Sequence, residues 1–357
     1  GAMGNDGNGS DSGHVRIYQY NNNSWSQLGA DIDGEAAGDI FGRSVSLSSD
    51  GSRVAIGAIF NDGGGTNSGH VRIYQYNNNS WSQLGADIDG EAANDYSGHS
   101  VSLSSDGSRV AIGAIYNNGN GSDSGHVRIY DYNGSAWVQV GADIDGEAAG
   151  DRSGQEVSLS SDGSRLAIGA INNGGNGANS GHVRIFDYTP SGTSSWTQVG
   201  ADIDGEATSD FSASSISLSS DGSRVAIGAT GNDGNGTNSG HVRIYQYNNN
   251  SWSQLGADID GEAAGDQTGS SVSLSSDGSR VAIGAYANDG NGSNSGHVRI
   301  FDYNGSAWVQ VGADIDGEQT GDYSGMSSVI SSDGSRVAIG AQLNNNENGI
   351  NSGHVRI

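Results

Sequence analysis

Four carboxylates recur in one short loop of a repeated segment: Asp31, Asp33, Glu35 and Asp39 first, then Asp87, Asp89, Glu91 and Asp95, with the same set in each later copy. Hard oxygen ligands at alternate positions suit calcium, and the string DIDGE resembles part of an EF-hand loop without its full spacing. These eight residues are candidate calcium ligands, and the NDGNGSNSG loops, as at 288–296, are a second acidic set. The competing reading is that Asp-Gly and Asx turns fold the loop while the carboxylates solvate it. The cofactor expectation is thus none, or calcium.

The copies are almost identical, and their differences cluster at two places. Before one strand they read IFGRS (40–44), YSGHS (96–100), RSGQE (152–156), FSASS (211–215), QTGSS (267–271) and YSGMS (323–327). After the next strand they read Ile59-Phe60, Ile115-Tyr116, Ile171-Asn172, Thr230-Gly231, Tyr286-Ala287 and Gln342-Leu343. The start of one hairpin strand lies opposite the end of its partner, so the two places are neighbours in space. They are expected to form a collar, or rim, around one mouth of a central channel and supply candidate ligand-binding residues: Phe41, Arg43, Phe60, Tyr96, His99, Tyr116, Arg152, Gln155, Glu156, Phe211, Tyr286, Tyr323 and Met326. Aromatic rings beside hydrogen-bonding groups suit a carbohydrate or protein ligand. Divergence at tolerant loop positions is the competing reading.

Catalysis needs an acid, a base and a nucleophile within reach, which breaks repeat symmetry. His99, Arg152 and Glu156 are the unusual titratable residues, and no motif joins them, so the chain is expected not to be an enzyme. Seven further histidines (His14, His70, His126, His182, His241, His297 and His354) each head a GHVRI string. Placed one per repeat, they are expected to diverge and to bond nearby loops rather than share an ion.

GHVRI begins at Gly13, Gly69, Gly125, Gly181, Gly240, Gly296 and Gly353, at intervals of 56, 56, 56, 59, 56 and 57 residues, so seven marks enclose six repeats. The long interval carries an insertion at 189–196, expected in a hairpin loop because a strand would lose register. Within a repeat, 100–104 alternates Ser with Val and Leu, Asp106-Gly107 turns the chain, and 109–114 returns as RVAIGA. Strands follow over 126–132 and from 137 to about 144. Four antiparallel strands in about 56 residues form one propeller blade. The expectation is all-β: a closed six-bladed β-propeller filling 5–357 as a single domain, after Gly1–Gly4, read as an expression remnant. The redundant seventh GHVRI is expected to close the sixth blade, with residues 25–32 pairing outside it and the first copy displaced.

Composition narrows the partners. The net charge is −26, and all 15 basic residues are arginine. Such a surface repels polyanions, because nucleic-acid binding needs basic groups that displace counterions. With no cysteine there is no disulfide framework, thiolate zinc site or cysteine nucleophile. No apolar run approaches membrane-spanning length, so no membrane insertion is expected.

Phe41-Gly42-Arg43-Ser44-Val45, then Asp50-Gly51, Val54-Ala55-Ile56-Gly57-Ala58 and Gly69-His70-Val71-Arg72-Ile73-Tyr74, resembles an FG-GAP repeat of the integrin-alpha kind in all six copies. Only the first copy has a literal FG, and none has the proline of GAP. The SSDG hairpin is also similar to those of TolB-like and WD-repeat propellers. The FG-GAP resemblance implies extracellular adhesion or ligand binding and calcium in DxDxDG loops, which here read only SSDGS. The resulting expectation is a non-catalytic, extracellular or cell-surface binding propeller within a larger protein. It would be a monomer, with strand exchange between copies as the variant. The alternative function is a structural, self-assembling repeat module.

Overall fold

A computed structural model describes residues 1–190, 195–344 and 352–357; the centre of the 189–196 insertion lies outside them. The alternating segment writes a hairpin because apolar residues at every second position share one face. In the second repeat, Ser97–Leu103 pairs antiparallel with Arg109–Ala114, placing Val101 opposite Ile112 and Leu103 opposite Val110. Gly107 turns the chain at φ 65°. Asp106 fixes that turn by accepting hydrogen bonds from Ser104 Oγ at 2.7 Å and Ser108 N at 2.9 Å.

The third strand, His126–Tyr132, pairs with the second along its length. The fourth is not the continuous strand expected over 137–144. It is broken into Trp137–Gln139 and Ile144–Asp145, both paired with the third strand. The break falls at Gly141, whose φ of 81° carries the chain off the sheet.

This sheet recurs in five repeats. The sixth has three strands: Ser324–Ile330, Val337–Ala341 and His354–Arg356. The chain is an all-β, six-bladed β-propeller, with no helix among the described residues. It divides into two compact units, Gly1–Leu166 with Asp187–Thr197, and Ala167–Phe186 with Gln198–Ile357.

In the first unit, Val101 and Leu103 pack on Ala55, Val71 and Ile73 of the preceding blade. Three polar ties reinforce this join: Leu103 N donates to Ser46 Oγ at 2.9 Å, Trp137 Nε1 to Leu84 O at 2.8 Å, and Arg53 Nη1 to Gly107 O at 2.9 Å, a tie that Arg109 Nη1 repeats to Gly163 O of the next blade at 2.7 Å. Blades approach so closely at Gly57 that an added Cβ would lie 2.1 Å from the Gly98 carbonyl oxygen, which explains the glycine of RVAIGA. In the second unit, Val272 and Leu274 pack on Ala226, Val242 and Ile244, and Trp308 Nε1 donates to Leu255 O at 2.7 Å.

At the chain ends one expectation holds and another does not. His354 stands opposite Ala341, so the last GHVRI is the third strand of the sixth blade. Residues 25–32 do not pair outside it. Ser24–Gln27 pairs with Tyr18–Asn21, and Ile32–Asp33 with His14–Val15, so the first GHVRI copy keeps its own partners. A two-residue turn closes at far smaller entropic cost than a pairing across the whole chain, and Val15, Ile17 and Ile32 bury against Phe41, Val54 and Ile56.

Candidate functional site

The variable segment before each first strand has an unusual backbone. Ile40, Tyr96, Arg152, Phe211, Gln267 and Tyr323 all sit at φ between 53° and 56°. This left-handed region is costly for non-glycine residues, above all for β-branched Ile40. Just after it, the pairing slips between Ser97 and Ser100, so Gly98 and His99 form a bulge on the first strand. Bulges re-aim side chains and favour functional edges.

These residues form a ladder in the first unit. The rings of Phe60 and Tyr96 meet edge to face at 5.0 Å, Tyr96 meets Tyr116 edge to face at 4.9 Å, and the Arg152 guanidinium lies 5.0 Å from the Tyr116 ring centroid. All four are half-buried, leaving part of each face open. In the second unit, Tyr286 and Tyr323 rings lie 5.9 Å apart, and the Tyr286 hydroxyl donates to Gln267 Oε1. Phe211 lies against Gly231, where an added Cβ would come 2.8 Å from its ring. Phe41 is a correction: it is fully buried and packs edge to face with Tyr74 at 6.5 Å, because the other copies place Ser or Thr at this core position. It is core and cannot line a rim.

A polar line runs beside the ladder. Arg43 Nη2 lies 3.3 Å from His99 Nε2, His99 Nδ1 lies 3.2 Å from the Gln155 carbonyl oxygen, and Ser100 Oγ donates to Glu156 at 3.4 Å. Burial, then the nearby Arg43 charge, hold the His99 imidazole down at about 4. Burial pushes the Glu156 carboxyl up to about 7, against the pull of Arg43 and Ser100. Met326 is 40% exposed on the corresponding bulge of the sixth blade.

The acidic loops are regrouped. Asp39 and Asp95 are buried struts: Asp95 Oδ2 accepts from Ala92 N at 3.1 Å and Asn117 Nδ2 at 3.0 Å, and Asp39 does the same with Ala36 and Asn61. Asp31 and Asp33 lie with His14, whereas Glu35 lies with His70 and Asp87 of the next repeat, and Glu91 with His126 and Asp143. The four carboxylates of one loop therefore serve different neighbourhoods. Asp89 pairs through the backbone with His70 and faces a groove of about 500 Å³ shared with Glu35, Asp62, Asp87 and Phe60. His70 does not bond a loop as expected: both its ring nitrogens are without a hydrogen-bond partner. Sequence reasoning missed their convergence with the acids, although the 17-residue spacing from His126 to Asp143, kept in every copy but the one with the insertion, was visible. The SSDG hairpins do not fit calcium, since each offers one carboxylate already engaged by its flanking serines.

The model of the FG-GAP repeat matches residues 31–74, 87–130 and 258–301. Three of the six repeats match the FG-GAP repeat. Among curated protein sequences none matches the chain. Solved structures similar to this propeller include a 6-phosphogluconolactonase-like protein of Bacteroides uniformis, at TM-score 0.63 and 12% identity over 94% of this chain and 88% of that one. The periplasmic gluconolactonase of Pseudomonas aeruginosa aligns at TM-score 0.62 and 16% identity, covering 92% and 85%. Hydrazine synthase of Kuenenia stuttgartiensis aligns at 0.56 and 13%, covering 93% and 86%. At these identities the likeness concerns fold.

Proposed function

We propose that the chain is a non-catalytic binding propeller, acting outside the cell or at its surface, whose variable rim holds a carbohydrate or protein ligand. The observation that carries this reading is the ladder Phe60, Tyr96, Tyr116 and Arg152. Residues that depart from an otherwise uniform repeat stand ring to ring, half-open, beside a strained backbone that holds them in place. Stacked aromatic faces with a cation and nearby hydrogen-bonding groups suit sugar rings and peptide side chains. The test is a glycan and peptide array probed with the parent chain and with Tyr96→Ala and Tyr116→Ala. Capture by the parent, reduced at least tenfold in both variants, supports the reading, and equal capture removes the ladder from it. Lactone hydrolysis that disappears in His99→Ala would replace binding by catalysis.

A second reading, self-assembly, rests on the terminal faces. Val45 and Leu47 are 46% and 50% exposed, whereas their equivalents Val101 and Leu103 are buried against the preceding blade. Val329 and Val355 of the sixth blade are 59% and 67% exposed. Each face is one half of a join that the chain repeats internally, and we assign its occupant as a second copy. Sedimentation should show mass rising with concentration, and less so in Leu47→Asp; one mass at every concentration rejects it.

A further inference from the structure

We propose that a divalent transition-metal ion, of the zinc class, binds between Glu91, His126 and Asp143, and at the equivalent triads in the fourth and fifth blades. The inference is independent of the ladder. Each triad takes its glutamate from one repeat and its histidine and aspartate from the next, so the ion would sit at a blade junction.

The geometry is specific in three respects. First, His126 Nδ1 lies 3.9 Å from Glu91 Oε2 and 3.8 Å from Asp143 Oδ2. These separations are too long for hydrogen bonds and within about half an ångström of the spread of ligands around an ion bonded at about 2.0–2.2 Å. The fourth blade repeats them as 3.9 and 3.7 Å around His241, and the fifth as 3.9 and 3.9 Å around His297.

Second, the other oxygen of each carboxylate is already held. Gln139 Nε2 donates to Asp143 Oδ1 at 2.6 Å, and Arg128 Nη1 lies 3.6 Å from Glu91 Oε1. Outer partners of this kind orient metal ligands. The two oxygens left over are those nearest the imidazole.

Third, the His126 side chain is 1% exposed, its Nε2 has no hydrogen-bond partner, and its Nδ1 points between the two acids. Burying an imidazole with neither nitrogen bonded is costly, and an ion at Nδ1 would offset part of that cost. A nitrogen ligand with two carboxylates favours zinc or nickel over calcium, which takes oxygen ligands. The first-blade triad is excluded, because Arg72 already engages both Glu35 and Asp87.

The experiment is zinc titration of the chelator-treated full chain by calorimetry, with bound metal counted by mass spectrometry of the elements. Parallel runs use Glu91→Gln, whose site is nearly half exposed and should keep the fold, and His126→Asn, with circular dichroism as the fold control. Saturable zinc binding that falls by one ion per chain in each folded variant supports the site, as does a downfield-shifted tetrahedral cobalt spectrum that weakens in Glu91→Gln. Failure to saturate, or a stoichiometry unchanged in Glu91→Gln, overturns it and leaves the triads bridged by water.

Discussion

Ser100 of the second blade donates a hydrogen bond to Glu156 of the third, and beside this pair stands His99, whose imidazole is displaced from its ordinary titration in the opposite direction. Folded Glu156 keeps a proton that the unfolded chain has released between pH 4.5 and about 7, so its contribution to stability falls as pH rises through that window. Folded His99 lacks a proton that the unfolded chain holds between about pH 4 and 6.5, so its contribution rises with pH there. The two slopes oppose each other where the windows overlap.

Single variants should separate them. Relative to the parent, Glu156→Gln should gain on the order of 1–3 kcal/mol between pH 4 and pH 8, and His99→Gln should lose a similar amount over the same interval. Urea unfolding at pH 4, 5.5 and 8 measures both. Profiles parallel to the parent's would show that neither group titrates as its surroundings imply.

Tyr96 and Tyr116 should be coupled energetically. An edge-to-face pair contributes about 0.5–1.5 kcal/mol beyond burial, so a double-mutant cycle through Tyr96→Ala and Tyr116→Ala should return a coupling near 1 kcal/mol. Strict additivity would mean that the rings are only incidentally adjacent.

Trp137→Phe keeps the stacking on Tyr132 but removes the indole N–H from the Leu84 carbonyl. The orphaned acceptor should cost about 1–2 kcal/mol. Trp81→Phe, which breaks the same tie to Leu28, should cost the same within error, and a difference above 1 kcal/mol would deny that the joins are equivalent.

The fold was legible because strand alternation, Asp-Gly turns and a fixed interval all agree, as in Val101, Leu103 and Asp106-Gly107. The break at Gly141 was not, since glycine in a strand pattern signals a bulge or a bend equally well. The rim was half legible. Divergence among copies picked out Tyr96 and Tyr116, yet it also picked out Phe41, because a position filled by serine elsewhere says nothing of whether its side chain faces inward. The triads were invisible because Glu91 and His126 belong to different repeats, and only the packing of one sheet on the next brings them together.

Gly57→Ala tests that packing. The new methyl would meet the Gly98 carbonyl oxygen at 2.1 Å and Ser44 Oγ at 2.5 Å; the hydroxyl can rotate away, but the backbone carbonyl cannot. A loss of about 1–3 kcal/mol is expected, with the lowered unfolding midpoint read by calorimetry. An unchanged midpoint would mean that the two sheets can slide apart without cost.

Every join described above reaches back by nearly the same distance along the chain, 53 residues for the tryptophan ties and 54 for the arginine ties. A join of that kind knows its neighbour but not its ordinal number. Excising one 56-residue period from within the array would bring like ends together and leave each remaining contact with an equivalent partner. Length in this molecule is thus free to change by whole steps through recombination between its own copies, whereas a change of any other size is absorbed only where a loop takes it up, as before Trp196, which still donates to Val140 O across 56 residues.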